Sequence, residues 1–213
     1  MRNRRAVLGL LSAAATVPAY AGAIPRAVID PGEALAAAAR RQVGVTTGFD
    51  QGYSRIAYPW GDVPGKTGVC ADVIIRAVRN AWGLDLQQLV HEDMARDFSA
   101  YPHSWGLHHP DTNIDHRRVP NLETYWTRQG ARVWRATTPT GGASFPGSLL
   151  PGDFLVWRWT SGGPSHVGMI VRGGPMPSIV QNFGAGAREQ PLAVMAPLLA
   201  TARYRWRPTR AAG

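Results

Sequence analysis

Five short runs in the C-terminal third, residues 133–136, 154–159, 167–171, 179–182 and 203–206, are rich in β-branched and aromatic side chains and are separated by Gly and Pro clusters. Runs of this length and composition predict strands, and the pattern argues for an antiparallel sheet. The N-terminal part carries a different period. Asp30-Pro31-Gly32-Glu33 offers an N-cap, a proline at the first helical position and an acid three residues after the cap, so the alanine-rich run to Val43 is expected to be helical. From Cys70 to Trp82, the residues Val73, Ile74, Ala77, Val78, Ala81 and Trp82 recur at helical spacing, while Arg76, Arg79 and Asn80 fall on the other side. A short helix is expected within 83–100 and another over 121–129, with a glycine-rich loop at 44–69 and a polar, histidine-rich loop at 101–119. Helices first and strands later, without internal repeats, predict an α+β domain rather than a doubly wound one.

The first residues read as an export signal: Arg2, Arg4 and Arg5, an apolar stretch from Ala6 to Val17, then Ala19-Tyr20-Ala21 as a small-x-small cleavage site. The expected organisation is a signal peptide over 1–21 and a single domain over 22–213. Asn3-Arg4-Arg5-Ala6-Val7-Leu8-Gly9 also resembles a twin-arginine signal, which implies transport after folding. The apolar segment is shorter than the roughly 20 residues a spanning helix needs, and no cysteine follows it to carry a lipid. No stable membrane anchor is therefore expected after cleavage, and the destination is periplasmic or extracellular. The formal charge is +9, and residues 1–21 hold three arginines and no acids, so the mature chain carries 9 − 3 = +6. A cationic exported protein concentrates near an acidic polymer such as the cell wall. Nucleic acid is not an expected partner, because zinc-finger spacing, a helix-turn-helix pattern and an aromatic ribonucleoprotein box are all missing.

Cys70 is the only cysteine, so it cannot form an intramolecular disulfide and is either a small buried hydrophobe or a reactive group. It falls in the first turn of the predicted helix 70–82, where unpaired N–H groups and the positive dipole end stabilise a thiolate. His166 opens a strand-like run and can take the proton. A thiol nucleophile and its base also need a polar group that fixes the imidazole tautomer. Gln181 and Asn182 occupy the next strand-like run, and side-chain alternation lets only one of them face His166. The sequence leaves open which.

Tyr58-Pro59-Trp60-Gly61, Pro64 and Gly68-Val69-Cys70, followed by Pro151-Gly152-Asp153-Phe154-Leu155-Val156-Trp157 and Ser165-His166-Val167-Gly168-Met169, resemble the NlpC-type, papain-like cell-wall peptidase superfamily. Gly68-Val69-Cys70-Ala71-Asp72-Val73-Ile74, Val90-His91-Glu92-Asp93-Met94, Tyr101-Pro102 with Trp105-Gly106, and the run from Pro110 to Leu122 are similar to an exported bacterial family, domain of unknown function 1287. The resemblance implies a papain-like fold, with Cys70 at a helix N-terminus packed on the antiparallel sheet. It implies a cysteine hydrolase that cleaves amide bonds in peptidoglycan peptides: Cys70 as nucleophile, His166 as base and then acid, and Gln181 or Asn182 as the orienting group. Tyr58, twelve residues before Cys70, is implied as an oxyanion-side or substrate-contacting hydroxyl. Peptidoglycan or another acidic envelope substrate is the implied partner, and no cofactor is required. The chain departs from the superfamily, which usually has Asp-Cys-Ser-Gly around the nucleophile and often a histidine as third residue. Here Val69 precedes Cys70, Ala71-Asp72 follow it, and the third residue is an amide that orients without charge.

His103, His108, His109, Asp111, Asp115 and His116 lie within fourteen residues. Such side chains can hold zinc, but the spacing fits no closed site and there is no His-Glu-x-x-His helix, so no metal is assigned. The loop is expected to pack by its own side chains, with Asp115 paired to Arg117 or Arg118. The two arginines are also candidates for substrate binding, since a guanidinium suits bidentate capture of a carboxylate. Two rival readings are a non-catalytic wall-binding module and a metal-dependent hydrolase built on the loop 103–116. Trp157 and Trp159 read as sheet core or rim in preference to a sugar platform.

Overall fold

The structure is a computed structural model that describes residues 30–208. The expected export signal over 1–21 lies outside the described residues. Asp30 caps the first helix, α1 (Pro31–Arg40), its Oδ1 accepting from the backbone N–H of Gly32 at 2.8 Å and of Glu33 at 3.2 Å. The helix ends three residues short of the predicted Val43, in a turn that reaches Gly44 at φ +77°. The second helix, α2 (Cys70–Trp82), has the predicted bounds and stops at Gly83, which takes φ +66° and returns its N–H to the Arg79 carbonyl. Helices α3 (Leu86–Arg96) and α4 (Val119–Arg128) follow, α3 capped by Asp85.

Six strands then form one antiparallel sheet: β1 (Arg132–Gly141), β2 (Phe154–Arg158), β3 (His166–Arg172), β4 (Ser178–Asn182), β5 (Ala187–Pro191) and β6 (Leu199–Tyr204), in the order β1-β6-β2-β3-β4-β5. The described residues are thus α+β, with four α-helices and a six-stranded antiparallel sheet. Side-chain alternation sorts the strand residues to two faces. Phe154, Val156, Val167, Met169, Val171, Val180, Ala202 and Tyr204 join the main core with apolar residues of α1, α2, α3 and α4. Leu155, Trp157, Ile170, Ile179 and Ala200 face the other way, into a smaller cluster closed by Leu192, Met195 and Leu198. With both faces covered, the central strands β2, β3 and β4 read as nearly continuous apolar runs.

Helix α2 packs on β3 and β4, and α1 packs on α2 through Leu35, Ala36, Ala38 and Ala39, small side chains that allow a close approach. The loop before α2 is tied to the end of β4 by Asn182, whose Nδ2 donates to the carbonyls of Gly48 and Gly68, both at 2.9 Å. This anchor fixes where Cys70 starts its helix relative to the sheet.

Candidate active site

Cys70 is the first residue of α2 and is 7% exposed, at the floor of a cleft of about 780 Å³. Helix α2 begins there because Asp72 Oδ2 accepts the Val69 N–H at 2.6 Å, one arm of a capping box. The cleft is walled on one side by Phe49, Gln51 and Tyr53 of the preceding loop, on a second by Trp105 and Arg118, and at the sheet end by Trp159, His166 and Phe183. Cys70 and His166 therefore line the same cavity. Burial pushes the Cys70 thiol up to about 11; the backbone N–H groups of Val167, Ala71 and Cys70 act the other way, and the Asp72 charge adds to the rise. The N–H groups at the helix terminus favour a thiolate, as expected of that position, but desolvation of the sulfur is the larger effect.

His166 Nε2 lies 2.5 Å from Gln181 Oε1. An amide oxygen only accepts, so Nε2 carries the hydrogen and Nδ1 keeps its lone pair. The Gln181 amide is itself held, its Nε2 donating to Gln190 Oε1 at 3.2 Å. Burial lowers the His166 imidazole to about 4, with the Gln181 bond opposing the fall. Phe183 meets the ring edge-on at 4.6 Å and stacks on Trp159 at 5.3 Å, so two aromatic rings screen the imidazole at the rim. Among the described residues no hydrogen bond joins the sulfur directly to the imidazole. The pair rests as neutral thiol and neutral imidazole facing one cleft.

The choice between Gln181 and Asn182 is decided by alternation. Gln181 shares the face of Ile179 and meets His166; Asn182 shares the face of Val180 and is spent on Gly48 and Gly68. Asn182 is thus a loop anchor and not the partner of the imidazole.

Tyr58 does not line the cleft. It is exposed and packs edge-on against His91 of α3, with ring centroids 5.0 Å apart. The tyrosine in the cleft wall is Tyr53, whose hydroxyl donates to Asp111 Oδ2 at 3.1 Å and accepts from Asn113 Nδ2 at 3.0 Å. Arg117 also borders the cleft, but its donors are already spent within the protein. Its guanidinium is 3% exposed and engages both oxygens of Asp72 at 2.9 Å and the carbonyls of Asp50 and Gly52. Arg118 takes the predicted ion pair with Asp115 at 2.9 Å, lies 4.2 Å over the Trp105 ring, and faces the cleft. Trp157 is fully buried and donates to the Gly142 carbonyl, whereas Trp159 sits at the cleft rim.

The histidine-rich loop separates its ligand-type side chains. His116 is buried, which lowers it to about 4; His103 packs edge-on against Phe98; Asp115 accepts the Asp111 N–H. Among the described residues no three His, Cys, Asp or Glu side chains gather as metal ligands. Tyr53 and Phe183 carry no sequence signal for the cleft, since each is a single aromatic in a loop or just past a strand end with no period to mark it, and Trp105 is marked only as part of the family-like motif Trp105-Gly106.

A family described as "Domain of unknown function (DUF1287)" matches residues 36–206, a span that takes in every element from α2 to β6. The "Uncharacterized protein YijF" of Escherichia coli (strain K12) is 42% identical over 197 residues, covering 89% of this chain and 92% of its own length.

Proposed function

The chain belongs to the family of domain of unknown function 1287, and we propose that it is an exported cysteine hydrolase of the NlpC type, with a papain-like fold, that cleaves amide bonds in peptidoglycan peptides. The observation that carries this reading is the 2.5 Å contact between His166 Nε2 and Gln181 Oε1, which leaves Nδ1 as the basic nitrogen in a cleft it shares with Cys70. A thiol at a helix N-terminus packed on an antiparallel sheet supports the papain-like assignment. Export rests on the signal-like residues 1–21.

In this mechanism Cys70 Sγ attacks the amide carbonyl carbon while Nδ1 of His166 takes the thiol proton. Because both groups rest neutral, proton transfer accompanies attack and does not precede it. The backbone N–H groups at the start of α2 stabilise the oxyanion. The imidazolium then protonates the leaving amine, giving a thioester on Cys70. Water, deprotonated by Nδ1, adds to the thioester and releases the acid, and the proton returns to sulfur. Arg118 supplies the cleft's accessible positive charge for an acidic group on the peptide.

The test is incubation of the purified protein and its Cys70→Ala variant with digested cell-wall fragments, followed by mass spectrometry. New cleaved peptides are expected with the wild type and none with the variant. Equal cleavage by both would overturn the assignment.

A further inference from the structure

Asp72 serves two ends that conflict. Its Oδ2 accepts the Val69 N–H and so starts α2 at Cys70, yet the same carboxylate, 2% exposed and two residues from the sulfur, acts against ionisation of the thiol. A buried carboxylate needs a counter-charge. It receives one from the turn Asp115–Arg117, where Arg117 Nε and Nη2 each lie 2.9 Å from an Asp72 oxygen and both side chains are 3% exposed. The same guanidinium donates from Nη2 to the Asp50 carbonyl at 3.2 Å and from Nη1 to the Gly52 carbonyl at 3.3 Å. Those carbonyls flank Gln51, and with Tyr53 this stretch forms one wall of the cleft. One side chain thus joins the helix start, the cleft wall and the turn before α4.

We propose that Arg117 is a positioning residue for Cys70: by offsetting part of the Asp72 charge it lets that carboxylate start the helix while limiting its suppression of the reactivity of the sulfur, and it clamps the loop 50–52 alongside. The inference rests on the nucleophilic reading of Cys70. An ammonium is a poor substitute, since a single nitrogen cannot reproduce the planar fork that meets both oxygens. The other charged or titratable groups around the sulfur are His166 from β3 and Arg118 from the start of α4. Strand β4 contributes the neutral amides of Gln181 and Asn182, and α1 presents Leu35 and alanines to α2.

The test is the rate of alkylation of Cys70 by iodoacetamide at one mildly alkaline pH, read for variants whose circular dichroism matches the wild type. Asp72→Asn keeps an acceptor for the Val69 N–H but leaves Arg117 uncompensated, so alkylation should quicken by about tenfold, the effect of roughly one pK unit. Arg117→Gln should slow it by a similar factor, and the double variant should return close to the wild-type rate. A purely structural role for Arg117 loosens the site in every variant and moves all the rates the same way. Where Arg117→Gln does not fold, the comparison of Asp72→Asn with the double variant decides alone: a return towards the wild-type rate supports the proposal, and equality overturns it. Asp72→Asn reacting no faster than the wild type also overturns it. Failure of the hydrolase reading has a different signature, undiminished wall-fragment cleavage by Cys70→Ala.

Discussion

A glutamine carbonyl can fix the tautomer of an imidazole but cannot charge it. At Gln181 this distinction has a measurable consequence, because His166 is held down to about 4 by burial and the Gln181 bond only partly opposes that. Gln181→Ala removes the acceptor and frees the ring to rotate or change tautomer, so kcat should fall roughly ten- to a hundredfold, a part of what positioned acid–base catalysis supplies. Gln181→Glu places a carboxylate against Nε2, which favours the imidazolium. The acid limb of the rate profile should then move up from about pH 4 towards neutrality. Rate profiles for the two variants check both outcomes; an unshifted limb in Gln181→Glu would mean that His166 is not the titrating base.

The elements that position these residues were unequally legible. Helix α2 was readable to the residue because its apolar positions repeat at helical spacing and Gly83 ends it. The start of β3 at His166 was readable from the apolar run that follows. Strand β5, Ala-Arg-Glu-Gln-Pro, was not, because its side chains are largely exposed and it exists only by pairing with β4. The last residues of β1 were hidden by Thr-Thr-Pro-Thr, a composition that reads as loop but is tolerated on an edge strand. Strand β6 runs from Leu199, earlier than the predicted 203–206; Leu-Ala-Thr-Ala holds a single β-branched residue and no aromatic one, too weak a pattern to mark a strand. The site shows the same division. Cys70 and His166 were marked by local pattern, whereas the choice of Gln181 over Asn182 depends on which sheet face meets the helices. The placement of Tyr58, Tyr53 and Arg117 depends on the path of the loop 44–69. Neither is encoded in a local period.

At the scale of the whole molecule, the cleft is assembled from the loop before α2, the histidine-rich loop and the ends of the central strands, so its integrity follows that of the fold. Two buried imidazoles link that fold to pH. His166 and His116 are both held at about 4 by burial, against an ordinary value of 6.5. Between these values the unfolded chain binds more protons than the folded one, so their contribution is complete above pH 6.5 and is lost as pH falls towards 4. Each contributes about 3 kcal/mol over that window. Asp115 and Glu123, held above the usual carboxylate range by burial, oppose the trend at its lower end. Urea denaturation across the window should show stability falling with pH, and His116→Gln should flatten the fall; constant stability would contradict the burial of neutral imidazoles.

Acyl transfer from an amide substrate to Cys70 is the step on which the proposed hydrolysis turns. Its most direct measurement is the mass of the intact protein quenched in acid during turnover of wall-derived peptides, with the adduct located by peptide mapping. An acyl group is expected on Cys70, released on hydrolysis and absent from Cys70→Ala. Turnover with Cys70 unmodified at every quench time would contradict it.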